Sequence, residues 1–201
     1  MPQADFFALF RLFLLRDFLD ADCCARLRNE VRSGAAEAGM IWRQGEYLVD
    51  EEVRLARSVR VPAPAVSLVT ERLQAVKPMV ERHFSLTLAG CQDPLFLAYK
   101  TGDYYRPHCD GSNNPDDDDS IRQRRVSVIV FLNGESDEPR EDCFGGGALT
   151  FYRLLQDRRA TRFGIPLVGE RGLLIAFPPD LIHEVRPVTH GERFTVVSWF
   201  F

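Results

Sequence analysis

The feature that most constrains the fold is a series of short, β-prone runs in the second half of the chain. These runs are rich in Val, Ile, Phe and Thr, and Gly, Pro and Asp separate them. The predicted strands are 95–101, 104–108, 125–132, 147–152, 173–177, 182–188 and 193–200. Short strands at this spacing are typical of an antiparallel sandwich or barrel. The sequence therefore predicts a mostly β fold with helices packed on one face.

Helical patterns are confined to the first half. Residues 17–39 predict a helix that ends at Gly39. Residues 64–84 predict a second helix, and Pro78 inside it should kink or split it. The segment 47–61 between the helices is expected to be extended.

Length and composition fit a single globular domain. The chain has 201 residues, of which 45% are apolar and 27% are charged. We expect one domain over residues 1–201, in which residues 1–90 form a helical support region and residues 91–201 form the β core. The apolar stretch Phe6–Leu15 is too short to span a membrane and is expected to be a strand or helix edge packed into the core.

Charge and cysteine usage indicate the setting of the protein. The net charge of −4 lacks the basic bias of a general nucleic-acid or anionic-membrane binder, so neither partner is expected. Five cysteines occur without a CxxC pair, which favours a reduced, cytoplasmic location.

Two histidines and a carboxylate form a candidate metal site. His108 and Asp110 are two residues apart, so on an extended strand both side chains point to one side and Cys109 points to the other. His183, at the start of another predicted strand, can supply the third ligand. Two His and one carboxylate leave three positions of a ferrous ion open for a cosubstrate and O₂. Taken alone, the His108–Asp110 pair is more simply a hydrogen-bonded surface pair.

Arg193 is the second candidate functional residue. It precedes the apolar residues Val196, Val197 and Trp199 on one predicted strand. A guanidinium directed into an apolar barrel is costly unless it meets an anion, and a dicarboxylate bound to iron at its other end would supply one. Thr195 faces the same side and can add a hydroxyl contact. Taken alone, Arg193 is more simply a surface arginine on a strand.

Further motifs follow in a fixed order along the C-terminal half. They are Tyr99, Gly102 and Tyr104; His108-Cys109-Asp110; Val126–Val130 running into Phe131-Leu132-Asn133; Gly145–Phe151; Gly172–Phe177; His183-Glu184-Val185 with Pro187-Val188; and Gly191, Arg193 and Trp199. This series, over about residues 95–201, resembles the prolyl 4-hydroxylase-type family of 2-oxoglutarate/Fe(II)-dependent dioxygenases. The resemblance implies a distorted double-stranded β-helix of the jelly-roll or cupin kind, with supporting N-terminal α-helices.

The resemblance also implies roles for individual residues. His108, Asp110 and His183 would bind Fe(II) as the catalytic centre, and Arg193 would pair with the distal carboxylate of 2-oxoglutarate. Tyr99 would lie near the metal-chelating end of that cosubstrate, although a core tyrosine is the simpler alternative. O₂ is the other cosubstrate, and L-ascorbate is an optional reductant.

One position departs from the pattern of the family. Several members have a tyrosine before the Leu-Asn pair that helps to hold the distal carboxylate, whereas this chain has Phe131. Arg193, with Thr195, is then expected to carry more of that contact.

The substrate is the least constrained part of the prediction. The resemblance favours hydroxylation of a C–H bond of a prolyl residue in a peptide or protein. Two acidic segments, 111–123 and 134–144, are expected to be mobile loops that could close over such a chain. A free amino acid or small metabolite is the alternative substrate. A non-catalytic metal-binding barrel of the cupin kind is the alternative class, because a fold does not fix a function.

Overall fold

A computed structural model describes residues 11–43, 45–154 and 163–201 of the chain. The helices are α1 (Ala21–Ser33), α2 (Ala63–Phe84) and the short α3 (Asp119–Arg122). The strands are β1 (Phe13–Leu15), β2 (Ala35–Ala38), β3 (Ile41–Arg43), β4 (Glu46–Leu48), β5 (Arg54–Leu55), β6 (Arg57–Arg60), β7 (Leu95–Tyr99), β8 (Tyr104–His108), β9 (Val126–Phe131), β10 (Gly134–Glu135), β11 (Cys143–Gly146), β12 (Leu149–Phe151), β13 (Ile165–Leu167), β14 (Leu174–Phe177), β15 (His183–Val185), β16 (Val188–Gly191) and β17 (Arg193–Phe200).

Two antiparallel sheets dominate the molecule. The larger has seven strands in the order β1-β14-β9-β17-β7-β6-β2, and the smaller has five in the order β13-β12-β15-β8-β5. A three-stranded sheet (β10-β11-β16) and the β3–β4 hairpin complete the architecture. Strands distant in the chain alternate within each large sheet, as in a double-stranded β-helix. The predicted fold class is confirmed.

Alternation along the central strands of the larger sheet creates two cores. On β9, Val128 and Val130 contact the helices, while Ile129 and Phe131 face the opposite side. The helix-side core contains Val69 and Leu73 of α2 together with apolar residues of α1. The other core lies between the sheets and is rich in phenylalanine: Phe131, Phe144, Phe151 and Phe177. The site described below lies on this inter-sheet side of the larger sheet.

The first helix is shorter than predicted. α1 begins after Asp20, whose carboxylate accepts a hydrogen bond of 2.7 Å from the Cys23 amide, as an N-cap residue should. It ends at Ser33, so the predicted end at Gly39 is wrong. At Gly34 the chain passes so close to β6 that a Cβ would lie 2.5 Å from the Arg60 carbonyl oxygen. The chain then enters β2, which pairs with β6.

The second helix is continuous. Of the two predicted effects of Pro78, a split of the helix is wrong, because α2 runs from Ala63 to Phe84 as one element. Pro78 lies on the exposed side, while Val76 and Val80 on either side of it are buried. Burial of these neighbours holds both halves of the helix against the sheet.

The seven predicted strands are all present, as β7, β8, β9, β12, β14, β15 and β17. Several short strands escaped prediction, and residues 1–90, expected to be helical support, supply β1–β6 as well as both long helices. The two acidic segments predicted as loops contain regular structure: α3 lies within 111–123, and β10 and the start of β11 lie within 134–144. Ile121 of α3 is buried and anchors its segment.

The apolar N-terminal stretch is described only in part. Residues 13–15 form β1, an edge strand of the larger sheet that pairs with β14, as expected for a core edge element. The remainder of Phe6–Leu15 up to residue 10 lies outside the described residues. In the described ranges, no helix is long and apolar enough to cross a membrane.

Candidate metal centre and anion pocket

The three predicted metal-site residues converge on one point. β8 and β15 are neighbours in the smaller sheet, and His108 and His183 are direct partners across the ladder. The Nε2 atoms of His108 and His183 each lie 3.7 Å from a carboxylate oxygen of Asp110. One ligand atom from each residue can be chosen so that all three lie within 4.8 Å of one another. This spacing suits a single cation bound by two imidazoles and one carboxylate.

Asp110 reaches this point by a different route from the one predicted. The i, i+2 argument placed it on the same strand as His108, but β8 ends at His108. The amides of Asp110 and Gly111 both donate to the Pro179 carbonyl oxygen, at 2.9 and 3.0 Å. These bonds fix the chain beyond β8 and hold the carboxylate beside the two imidazoles. Cys109, expected to point to the other side of the strand from the ligands, is exposed, and its thiol donates to the Asp180 carbonyl oxygen.

Backbone carbonyls set the orientation of both imidazoles. Nδ1 of His108 lies 2.8 Å from the Arg106 carbonyl oxygen, and Nδ1 of His183 lies 2.9 Å from that of Leu181. A carbonyl only accepts, so we assign a proton to Nδ1 of each ring. Nε2 of each ring is left with its lone pair directed toward Asp110, as a metal ligand requires.

The electrostatics of the three residues also fit a cation. Burial, followed by repulsion from His183, lowers the pKa of His108 to about 3, so its imidazole is neutral at physiological pH. Burial opposes ionisation of Asp110, but the two histidines outweigh it and lower the pKa of the carboxyl group. Oδ2 of Asp110 is buried without a hydrogen-bond partner. An unpartnered buried carboxylate oxygen beside two imidazoles is a site that a divalent metal ion would satisfy.

Aromatic rings pack around the two imidazoles. The Tyr105 ring stacks on His108 with centroids 3.5 Å apart, and Phe177 meets His183 edge-on at 4.7 Å. His183 is only 2% exposed. Rings held in this way lose little further freedom when a metal ion binds.

Arg193 lies buried at the start of β17. Its guanidinium is 1% exposed, and Nε and Nη2 have no hydrogen-bond partner. Nη1 makes a long contact of 3.3 Å with the Thr195 hydroxyl, the residue predicted to assist it. Burial lowers the pKa of Arg193 to about 10, so the group still carries its charge at neutral pH. A buried cation with two unpartnered nitrogens is a binding site for an anion.

Three aromatic rings surround this guanidinium. Its central carbon lies 4.9 Å from the ring centroid of Phe131, 5.1 Å from that of Tyr99 and 5.8 Å from that of Phe144. Gly147, with φ of +62°, closes the pocket, where a Cβ would stand 3.0 Å from Cδ of Arg193. Tyr99 is thus placed beside Arg193, its partner across the β7–β17 ladder.

The metal centre and the anion pocket open into one cavity of about 710 Å³. All six predicted site residues line it: Tyr99, His108, Asp110, His183, Arg193 and Thr195. A ligand with one end at the three metal-site residues could therefore place an anionic end at Arg193. The structure brings together every residue that the sequence singled out for the site.

Sequence reasoning missed other residues of the cavity wall. Arg124 lies 3.6 Å above the Trp199 ring and donates to the Asp110 carbonyl oxygen at 2.8 Å. Trp199, an apolar residue on the strand of Arg193, is buried and also lines the cavity. Trp42 of the β3–β4 hairpin donates to the Asp117 carboxylate at 2.9 Å. No local pattern marks Arg124 or Trp42, because their positions depend on contacts between distant segments.

Comparison with known proteins agrees with this geometry. The sequence profile described as the 2OG-Fe(II) oxygenase superfamily matches residues 94–201, which is more than half of the chain. The chain belongs to this superfamily. Membership implies Fe(II), 2-oxoglutarate and O₂ as its metal and cosubstrates, and the metal centre and anion pocket offer the donors and the cation that Fe(II) and 2-oxoglutarate need.

Relatives within the 2OG-Fe(II) oxygenase superfamily include PKHD-type hydroxylases. That of Janthinobacterium sp. (strain Marseille) is 34% identical over 109 residues, which cover 53% of this chain and 42% of the relative. That of Synechococcus sp. (strain CC9902) is 26% identical over 192 residues, which cover 93% of this chain and 76% of the relative. The chain thus spans less than half the length of the first of these relatives.

Solved structures share the fold across nearly the whole chain. A Pseudomonas putida prolyl-4-hydroxylase superposes with a TM-score of 0.70 at 21% identity, covering 98% of this chain and 95% of the other. A Trichoplax adhaerens prolyl hydroxylase, in complex with a hypoxia inducible factor oxygen degradation domain peptide fragment, gives 0.71 at 18% identity, covering 98% and 86%. The resemblance to prolyl hydroxylase-type members of the 2OG-Fe(II) oxygenase superfamily is confirmed.

Proposed function

We propose that this chain is an Fe(II)- and 2-oxoglutarate-dependent dioxygenase that hydroxylates a prolyl residue of a peptide or protein. The observation that carries the proposal is the placement of His108, Asp110 and His183 in the same cavity as the buried guanidinium of Arg193, two of whose nitrogens have no hydrogen-bond partner. A metal-binding barrel without activity has no use for a buried cation with free donors at that place.

Each residue has a distinct role in this proposal. His108, Asp110 and His183 hold Fe(II), with the imidazoles bound through Nε2. Arg193 pairs with the distal carboxylate of 2-oxoglutarate, and the Thr195 hydroxyl contributes to that contact. Tyr99 lines the cavity toward the metal-chelating end. Bound iron, with 2-oxoglutarate and O₂, supplies the oxidising chemistry that converts C–H to C–OH and yields succinate and CO₂.

The protein's own contribution is position and shielding. Carbonyls of Arg106 and Leu181 keep both Nε2 atoms free for the metal, and the Tyr105 ring excludes water from one face of His108. The phenylalanine core between the sheets closes the inner side of the site. The cavity mouth remains the entrance for the substrate.

A polypeptide substrate fits the mouth better than a free amino acid does. Met40, Tyr47 and Leu95 line the cavity, yet each is 40% or more exposed. Large apolar side chains left exposed around a cavity offer contacts to a partner that extends beyond the cavity. The solved Trichoplax adhaerens relative is itself in complex with a peptide fragment, which supports a polypeptide substrate.

The cellular location that we propose is the cytoplasm. The five free cysteines support it, because disulfides are rare in that compartment.

The test is oxygen transfer in a defined reaction. The protein is incubated with Fe(II), 2-oxoglutarate, ascorbate and cellular proteins, and mass spectrometry seeks prolyl peptides that gain one oxygen atom. Variants His108→Ala and Arg193→Met should lose succinate formation and the modification together, whereas Arg140→Met, an arginine exposed on the surface, should retain both. Full turnover in His108→Ala would refute the iron assignment. Modification of free proline, with none of peptides, would favour the metabolite alternative.

A further inference from the structure

The backbone on either side of Arg193 is held by a side chain from the opposite strand. β9 and β17 pair regularly as far as Phe131 and Thr195, and the same register would next pair residue 132 with 194 and residue 133 with 193. β9 ends at Phe131, so the ladder is not completed by backbone alone at the point where Arg193 begins β17.

Asn133 replaces the missing backbone bonds. The Leu132 amide still donates to the Phe194 carbonyl oxygen at 3.0 Å. The Phe194 amide, however, donates to Oδ1 of Asn133 at 3.0 Å, and Nδ2 of Asn133 donates to the Glu192 carbonyl oxygen at 2.7 Å. One carboxamide therefore binds the residue before Arg193 and the residue after it. Donor meets acceptor at both ends, which fixes the orientation of the amide.

A helix secures the same junction from behind. The Leu132 carbonyl oxygen accepts a hydrogen bond of 2.8 Å from Nη1 of Arg28 on α1. Arg28 is 4% exposed, and its Nη2 forms an ion pair with Asp142 at 2.5 Å. The turn that carries Asn133 is thus anchored independently of β17.

Arg193 depends on this support because little else directs it. Its guanidinium has one long hydrogen bond, to Thr195, while the charge of Glu135 and the surrounding aromatic faces act on it without a hydrogen bond and tolerate many orientations. Where the guanidinium lies is consequently determined by the backbone at residues 192–194. Asn133 is 1% exposed and has no contact with the metal centre among its hydrogen bonds.

We propose that Asn133 is a positioning residue for Arg193, holding the two flanking peptide groups so that the guanidinium meets the distal carboxylate of 2-oxoglutarate. The proposal rests on the cosubstrate role proposed for Arg193. It assigns Asn133 to selection of the cosubstrate rather than to binding of iron or of the hydroxylated substrate.

The experiment compares two keto acids that differ at the distal end. Pyruvate carries the same metal-chelating end as 2-oxoglutarate but has no distal carboxylate for Arg193 to bind. Affinities of both are measured by calorimetry with the Zn(II)-loaded protein, which binds without turnover. In Asn133→Ala, the affinity for 2-oxoglutarate should fall about tenfold, at the low end of what loss of a supporting residue costs. The affinity for pyruvate should change less than about twofold. In turnover assays, KM for 2-oxoglutarate should rise more than kcat falls.

Controls separate positioning from general damage. Asn133→Ser, which keeps a polar atom but cannot reach both peptide groups, should show the same selective loss and carries the test if the alanine variant does not fold. Val31→Ala, a buried change on α1, should lower the melting temperature without changing the preference between the two keto acids. Equal weakening of both ligands, or unchanged 2-oxoglutarate affinity, would overturn the proposal. If the wild-type protein itself shows no preference for 2-oxoglutarate over pyruvate, the role of Arg193 fails instead.

Discussion

Arg193 keeps its charge in an environment made largely of aromatic carbon. Phe131, Tyr99 and Phe144 shield it from water, and its Nε and Nη2 have no hydrogen-bond partner. Solvent exclusion strengthens any carboxylate contact made there, because a charge pair gains more in a low dielectric than in water. In this pocket a single arginine should therefore bind a carboxylate more tightly than it would at the protein surface.

Phe131 offers a direct test of this pocket. Phe131→Tyr would add a hydroxyl group at the edge of the arginine pocket, and a hydrogen bond to a charged group such as a carboxylate contributes about 1.5 kcal/mol net or more. We expect 2-oxoglutarate to bind about tenfold more tightly, measured by calorimetry with the Zn(II)-loaded protein. The same substitution at Phe96, buried on the helix side of the larger sheet, should leave the affinity unchanged. Weaker binding in Phe131→Tyr would show that the pocket has no room for the hydroxyl.

Tyr105 should reveal its burial in an alkaline titration. Burial raises its pKa to about 12, whereas an exposed tyrosine titrates near pH 10. The folded protein therefore holds this proton more tightly than the unfolded chain, so the contribution to stability is complete below about pH 10 and is lost as the pH rises toward about 12. Phenolate absorbance should show a late step that Tyr105→Phe lacks. Ionisation of Tyr105 near pH 10 would contradict its burial.

At the scale of elements, sequence patterns located the strands better than the connections between them. Runs of β-prone residues bounded by Gly, Pro and Asp predicted β9 and β17 almost to their ends, and both are central strands whose two faces meet different cores. All four residues of β2 are exposed, so no pattern of apolar residues marks this segment as a strand. Its formation depends on the turn at Gly34 and on pairing with β6, which only the assembled sheet provides.

The candidate site was predictable to a similar degree. Residue type and spacing made His108, His183 and Arg193 candidates, and the series of motifs shared with a known family singled them out. The position of Asp110 follows instead from bonds to Pro179, and that of Arg124 from its contact with Trp199. Such contacts join segments far apart in the chain, and local patterns carry no record of them.

Helix α2 carries a removable defect. A proline in a helix interior costs about 3 kcal/mol of stability relative to alanine. Proline also restricts the unfolded chain, which offsets about 1 kcal/mol of that cost. Pro78 is exposed, so replacing it removes no buried contact. We expect Pro78→Ala to raise the free energy of unfolding by about 2 kcal/mol in urea denaturation. As a matched control, Pro62→Ala, at the N-cap where no helical amide bond is missing, should not stabilise the protein.

At the scale of the whole molecule, the helices and the candidate site lie on opposite faces of the larger sheet. The helices cover one face of the larger sheet and leave its other face to the phenylalanine core, the metal centre and the anion pocket. Arg28 is one of the few connections from the helix layer to the region of the site. Substitutions in the helix-side core should therefore change stability before they change the chemistry.

Ligand binding should stabilise the entire fold. At one hundred times its dissociation constant, a ligand specific for the folded state adds about 2.7 kcal/mol, or roughly 5–10 °C in the melting temperature of a chain of this size. We expect this shift when Zn(II) and 2-oxoglutarate are added together, measured by thermal unfolding. His183→Ala should abolish it, and Arg193→Met should remove only the part due to 2-oxoglutarate. A shift that persists in His183→Ala would indicate a metal site elsewhere.

The facing arrangement of His108 and His183 has a mechanical consequence. The described strands between them in the chain include β9, β12 and β14, and this part of the chain starts and ends at the metal centre. A metal ion bound there would crosslink the two ends of this segment. It would thereby close a long loop of the chain that contains strands of both sheets. Removal of the ion would free the two ends of this segment first. The residues around the mouth of the cavity should therefore become more mobile, while the phenylalanine core stays packed.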